Sequence, residues 1–92
     1  MRAFEWDENK NRENIRRHGI SFPQAAKIFK GNILEWEDTR EDYGETRMIA
    51  IGRSERRLVR VVYTLRENRI RIISARKGDK NDRRKYYNAF LR

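Results

Sequence analysis

The stretch Leu58–Arg76, LVRVVYTLRENRIRIISAR, decides the fold. In its first half Val59, Val61, Tyr63 and Leu65 recur at period two and share one face of an extended chain. Glu67-Asn68 then signals a turn, because asparagine tolerates positive φ. Arg69–Arg76 reads as the returning strand. Period two places Ile70, Ile72, Ser74 and Arg76 on one face and Arg69, Arg71, Ile73 and Ala75 on the other. On this reading the strand's arginines divide between two faces and cannot all contact one ligand.

Working outward, Arg47–Gly52 reads as a more buried strand, and Ser54-Glu55 turns the chain into Leu58. Three closely connected strands make an antiparallel meander. Ile33–Trp36 reads as a further strand, followed by an acidic loop from Glu37 to Glu45. Phe4-Glu5-Trp6 alternates as a short N-terminal strand. Asp7 can cap a polar helix through about Arg17, with Ile15 as its chief apolar anchor and Gly19 as its stop. Ser21-Phe22-Pro23-Gln24 has the form of a capping box. It opens a helix that turns Phe22, Ala25, Ala26, Ile28 and Phe29 toward the core and closes at Gly31. Asp79 can cap a last helix through Phe90, with Tyr86/Phe90 and Tyr87/Leu91 paired at i, i+4. The order β-α-α-β-β-β-β-α gives an α+β fold. One antiparallel sheet packs against an N-terminal helical hairpin and a C-terminal helix, in a single domain of residues 1–92.

Composition narrows the function. The 92 residues carry 23 Lys+Arg and 14 Asp+Glu, a net charge of +9, with 37% hydrophobic side chains. A core this thin excludes a dinucleotide held on a full doubly wound sheet. No apolar run approaches the ~18–20 residues of a membrane span, so no membrane partner is expected. With no cysteine and no visible secretory signal, the expected setting is the reduced cytoplasm. The charge is uneven: residues 1–20 carry a net +1, residues 21–52 a net −2 and residues 53–92 a net +10. Such concentration points to a polyanion, and nucleic acid is the commonest one inside cells.

No P-loop, nucleophile elbow or dinucleotide glycine fingerprint is present, and His18 is the only histidine. The acids Glu37, Asp38, Glu41 and Asp42 read as solvated or paired with the basic part of the chain, so neither a metal nor another cofactor is expected. What remains is a cluster of cations at strand ends: Arg60, Arg71, Arg76 and Lys77, with Tyr63 and Tyr86 as possible neighbours. RNA cleavage needs no metal where a protein aligns the 2′-OH and stabilises charge on the phosphate. The proton acceptor stays open: a carboxylate or His18 serves, or the site relies mainly on orientation. Plain structural roles stand beside these. His18 can sit at a helix C-terminal dipole, Ser74 can bond a neighbouring backbone, and Arg71 and Arg76 can guard a sheet edge. Trp6 and Trp36 read as core, and Lys80 with Arg83-Arg84-Lys85 forms a general polyanion-binding face. The residues alone leave a ribonuclease and a plain nucleic-acid binder unseparated.

FEWD at Phe4–Asp7, NIRRHGISF at Asn14–Phe22 and RIISARK at Arg71–Lys77 resemble the BrnT family of bacterial toxins. So do EDYGE at Glu41–Glu45, IAIG at Ile49–Gly52 and LVRVVYT at Leu58–Thr64. The resemblance implies a RelE-like fold and a ribonuclease toxin of a type II toxin–antitoxin pair, which inhibits translation by cutting RNA without a metal. It implies a cognate antitoxin with a DNA-binding domain, forming a hetero-oligomer with the toxin on operator DNA. Arg71, Ser74, Arg76 and Lys77 match the family's last-strand motif and His18 its helix-end histidine. Arg60 is carried over by topology, from a middle-strand position where RelE-like enzymes often have an arginine. Gly78-Asp79-Lys80 departs from the alanine and hydroxyl residue frequent there, a change expected in the helix cap. Two alternatives stand beside this expectation: a non-catalytic regulator that binds nucleic acid, and a gyrase-directed toxin on the same fold class.

Overall fold

The structure, a computed structural model, describes residues 3–90. In chain order it comprises β1 (Phe4–Glu5), α1 (Glu8–His18), α2 (Phe22–Ala26), β2 (Leu34–Glu37), β3 (Met48–Ser54), β4 (Arg57–Arg66), β5 (Arg69–Lys77) and α3 (Lys80–Phe90). A single 3-10 turn, Lys27–Lys30, continues α2. The expected element order holds, although the second helix loosens after one turn and a half. The five strands form one sheet in the order β1-β5-β4-β3-β2.

Strands β2 to β5 pair antiparallel, as expected, but β1 joins β5 in parallel through Phe4↔Ile70 and Glu5↔Arg71. The sheet is therefore mixed rather than wholly antiparallel. A hairpin forces neighbouring strands to run antiparallel, whereas β1 and β5 are joined by most of the chain, long enough to allow a parallel crossover. The β4–β5 turn follows the sequence: Glu67 and Asn68 both adopt positive φ, 49° and 68°, as a two-residue hairpin turn requires.

The sheet has one strongly apolar face. Val59, Val61, Tyr63, Ala50, Ile70, Ile72 and Ala75 turn there toward Ile20, Phe22, Ala25 and Ile28. The capping box at Ser21 forms as read: the Ser21 hydroxyl accepts from the Gln24 amide, and the Gln24 side chain accepts from the Ser21 amide. Packing of the 3-10 turn on β3 is close, since a side chain at Gly52 would meet the Ile28 Cβ at 2.8 Å. Trp6 stacks edge-on against Phe22 at 6.2 Å, and Phe29 bridges Phe4 and Tyr63. The opposite face carries a smaller core in which Ile51, Leu58 and Tyr86 are buried, with Leu34, Trp36, Tyr87 and Phe90 packed around them. The Tyr86/Phe90 pair forms at 4.9 Å, while Leu91 lies outside the described residues.

Two expectations change. The polar helix α1 is not anchored by Ile15, which is 45% exposed. Its buried residues are Asn11 and Asn14. Asn11 Oδ1 accepts from the Phe22 amide at 2.7 Å. Asn14 donates to the carbonyls of Ile20 and Ala75 at 2.8 and 2.9 Å and accepts from the Ala75 amide at 3.1 Å. Beyond the two-residue strand β1, the Asn14 side chain thus stands in for a neighbouring strand along β5. This polar stitching satisfies backbone groups that would otherwise be stranded, and it seats a helix with almost no apolar face.

The second change is in the register of β5. Arg60 pairs with Arg76, Val61 with Ala75 and Val62 with Ser74, but Tyr63 pairs with Ile72. Ile73 is the extra residue of a β-bulge, and the inside–outside phase reverses across it. Ile70, Ile72 and Ala75 all reach the large core, while Arg71, Ser74 and Arg76 share the other face with Arg60 and Val62. The strict alternation that divided Arg71 from Arg76 is thereby overturned.

Candidate functional site

Helix α3 covers only part of the smaller-core face, where Tyr86 packs against Ile51 and Leu58. Beyond it the sheet is open, and the phase reversal at Ile73 delivers Ser74 and Arg76 there beside Arg60 and Val62. Two further elements wall the opening. Helix α1, fixed by Asn14 to the edge of β5, ends at His18, where Gly19 takes a left-handed conformation at φ 68°. The β2–β3 loop brings Arg40 from another side. His18, Arg40, Arg60, Val62, Ser74 and Arg76 surround a cleft of about 150 Å³. The Ser74 hydroxyl makes no hydrogen bond within the described residues.

The guanidinium groups are held by carboxylates beneath or beside them. Asp82, 1% exposed, accepts from Arg60 on one oxygen and from Arg76 on the other, both at 3.0 Å. Its second oxygen also accepts from the Asp79 amide at 3.0 Å, while Asp79 accepts from the Asp82 amide at 2.8 Å. This reciprocal pair caps α3 as the sequence reading expected of Asp79. Burial opposes charging of Asp82. The Asp79 amide and the Arg60 and Arg76 guanidiniums outweigh it, so the carboxyl stays below the ordinary aspartate value. Arg76 also donates to the Lys77 carbonyl, and Arg60 lies over the Trp36 ring at 5.5 Å. Across the cleft, Asp38 accepts from Arg40 through both oxygens at 2.8 Å and from the Tyr43 hydroxyl at 3.0 Å. The two-fold bond from Arg40, working against burial, holds the Asp38 carboxyl far below its ordinary value. Asp38 is thus committed to a cation of the loop rather than grouped with Glu37, Glu41 and Asp42.

Of the residues singled out in the sequence, His18, Arg60, Ser74 and Arg76 come together around this cleft. Arg71 lies on the same sheet face but is turned to the β1 edge, where it binds Glu5 at 2.9 Å. Lys77 is exposed and in register with Val59, on the large-core side of the strand. Lys80, Arg83 and Arg84 are exposed on α3, with Arg83 over the Tyr87 ring at 5.6 Å. Lys85 approaches the cleft through Trp36, over whose ring it sits at 5.0 Å. Trp36 is therefore a half-buried shelf for two cations as well as part of the smaller core. Tyr63 belongs to the large core, and Tyr86 is buried with its hydroxyl donating to the Asn32 carbonyl. Neither lines the cleft.

Asp82, Arg40 and Asn14 are the site residues that the sequence reading passed over, while Asp38 was read only as one of the solvated or paired acids of its loop. Asp79 and Asp82 at i, i+3 carried a legible capping signal. The contacts of Asn14 across the fold had none, and Arg40, bound to Asp38 only two residues away, carried no local sign of facing the cleft.

Residues 6–82 match the family described as the ribonuclease toxin, BrnT, of type II toxin–antitoxin systems. The chain belongs to the BrnT toxin family. The crystal structure of the Brucella abortus ribonuclease toxin, BrnT, has the same fold, with a TM-score of 0.64 and 23% identity over 87% of this chain and 100% of that one. A comparison with curated proteins finds no match. Among the described residues no helix is long and apolar enough to cross a membrane.

Proposed function

We propose that this BrnT-family protein is an endoribonuclease that inhibits translation by cutting RNA in the cleft between His18 and Arg76. The observation that supports this reading most directly is the convergence of an imidazole, a free hydroxyl and three guanidinium groups around one opening. In the proposed reaction the 2′-oxygen of one nucleotide attacks the adjoining phosphorus and the bond to the 5′-oxygen breaks. The products are a 2′,3′-cyclic phosphate and a 5′-hydroxyl. The 2′-OH loses its proton and the departing 5′-oxygen gains one. An imidazole can accept a proton on one ring nitrogen and donate from the other, which makes His18 the group in the cleft best suited to either transfer. Arg40, Arg60 and Arg76 face the charge that grows on the phosphate. Because Asp38 and Asp82 already orient them, little reorganisation is needed as that charge develops. This route draws its electrostatic stabilisation from side chains rather than from a metal ion.

Arg71 and Lys77 take outlying roles in this scheme, along the strand that carries Ser74 and Arg76. Lys80, Arg83, Arg84 and Lys85 supply long-range attraction for the RNA backbone. A type II family implies a cognate antitoxin. We place it as a hetero-oligomeric partner in the cytoplasm that covers the basic face and brings the complex to operator DNA through its own DNA-binding domain. Incubation of the pure protein with labelled RNA in EDTA is expected to release fragments ending in cyclic phosphate. Salt-sensitive retention without cleavage gives instead the non-catalytic binder. An effect on DNA supercoiling with RNA left intact gives the gyrase-directed toxin.

A further inference from the structure

We propose that a second subsite adjoins the cleft along α1 and holds one single-stranded nucleotide next to the scissile phosphate, whatever its base. The inference rests on the ribonuclease reading above and adds to it where the strand continues.

A groove of about 180 Å³ runs between α1 and β5, with Lys10, Asn14 and Arg17 on one side and Ile73 on the other. It shares His18 and Ser74 with the cleft, so the two openings adjoin. Their charges differ in kind. Arg40, Arg60 and Arg76 are each tied to a carboxylate, whereas neither Lys10 nor Arg17 forms an ion pair among the described residues. Glu13 also lines the groove; both of its oxygens accept from Arg16, and Arg17 feels its charge without a direct ion pair. Lys10 and Arg17 stand two turns apart on one helix, about 10 Å along its axis, a span that brackets a nucleotide.

The apolar wall is a product of the bulge. Ile73, the extra residue of β5, is half-buried and lines the groove instead of entering either core. An aliphatic wall meets a base by its face, without reading its edge. Asn14 has both amide hydrogens engaged with the Ile20 and Ala75 carbonyls, so it has no donor left for a base. Two unpaired cations and an apolar wall recognise phosphate and base surface, a combination without sequence information.

The test uses the full chain and uniformly 2′-O-methylated oligonucleotides, which lack the attacking hydroxyl. A dinucleotide and a tetranucleotide are titrated and followed by backbone amide NMR. The tetranucleotide is expected to bind at least about fivefold more tightly. It should also shift the amides of Ile73, Asn14 and Arg17, which the dinucleotide leaves in place. The gain should disappear in the double variant Lys10→Ala/Arg17→Ala, with a fall of about 0.7 in the slope of log affinity against log salt. It should survive in Lys27→Ala/Lys30→Ala, which removes two charges near the large core. Exchanging the added bases should change affinity less than about twofold. Equal binding of the two lengths, or a gain that persists in the Lys10/Arg17 variant, overturns the subsite while leaving the cleft assignment standing. If neither oligonucleotide moves the Ser74 and Arg76 amides, the ribonuclease reading fails and the subsite falls with it.

Discussion

The two faces of the β4–β5 hairpin are built from alternate residues of the same strands, yet they are organised on opposite principles. One face buries Val59, Val61, Tyr63, Ile70, Ile72 and Ala75 under Ile20, α2 and the 3-10 turn. Each large apolar side chain hidden there contributes roughly 1.5–3 kcal/mol, and the contacts need no direction. The other face presents Arg60, Ser74 and Arg76 in an opening that α3 leaves uncovered. Its cations must be aimed, and Asp82 does this from a position closed to water. The difference teaches that stability and recognition are separated here by one residue of strand register. The bulge at Ile73 keeps isoleucine and alanine inward while sending serine and arginine outward.

Removing that register change is the most severe way to break the separation. Insertion of one residue between Val62 and Tyr63, opposite Ile73, would restore simple alternation and drive either Ser74 and Arg76 or Ile70 and Ile72 to the wrong face. Burying an unpartnered guanidinium is expected to cost on the order of 5 kcal/mol, enough to abolish folding of a small domain. Circular dichroism and solubility of the insertion variant check it; a natively folded, active product would mean that the bulge is dispensable.

The next contrast sets one residue from each face side by side. Ile72→Ala should lower unfolding free energy by about 2–5 kcal/mol through loss of core contacts, with cleavage per folded molecule unchanged. Arg76→Ala should lower RNA cleavage by about 10²–10³-fold, with a smaller effect on stability. Urea titration and a cleavage assay on both variants distinguish them. The separation of faces fails if the two variants lose the same property.

Asp82 belongs to both economies, since it orients two cleft arginines and caps α3. Asp82→Asn should cost about 1–3 kcal/mol and reduce cleavage by about tenfold. The pH dependence has a definite sign. The Asp82 carboxyl titrates below its ordinary value in the folded chain, so its stabilising effect is complete above the unfolded value, near pH 4, and is lost as pH falls through the folded one. The stability gap between wild type and Asp82→Asn should therefore be full at neutral pH and narrow below about pH 4. A gap that stays constant from pH 7 to pH 3 would place the effect in packing. The smallest expected effect is that of Asp79→Ala, about 1 kcal/mol from the lost helix cap. Thermal unfolding measures it, and cleavage should fall less than in Asp82→Asn.

Much of the fold was legible because its signals are local. The alternation at Val59–Leu65, the turn at Glu67-Asn68, the capping box at Ser21 and the cap at Asp79 each depend on residues within a few positions of one another. The parallel pairing of β1, the seating of α1 on Asn14 and the tie of Arg60 to Asp82 link distant parts of the chain. The anchor assigned to Ile15 shows the limit: an isolated apolar residue on a polar helix suggested a hydrophobic seat, whereas the helix is held by amide hydrogen bonds to backbone across 61 positions.

By itself the sequence determined the order of elements, the helix caps, the hairpin and the concentration of positive charge after residue 52, because propensity, capping and charge are properties of neighbouring residues. It also placed His18, Arg60, Ser74 and Arg76 among the candidates. Only the tertiary structure decided that these four meet and that Lys77 and Arg71 stand apart from the cleft. A strand's phase can be shifted by one residue wherever burying the right side chains repays a locally broken ladder. Here that comparison was made by the whole core packed against β5, including residues some 50 positions away in the chain.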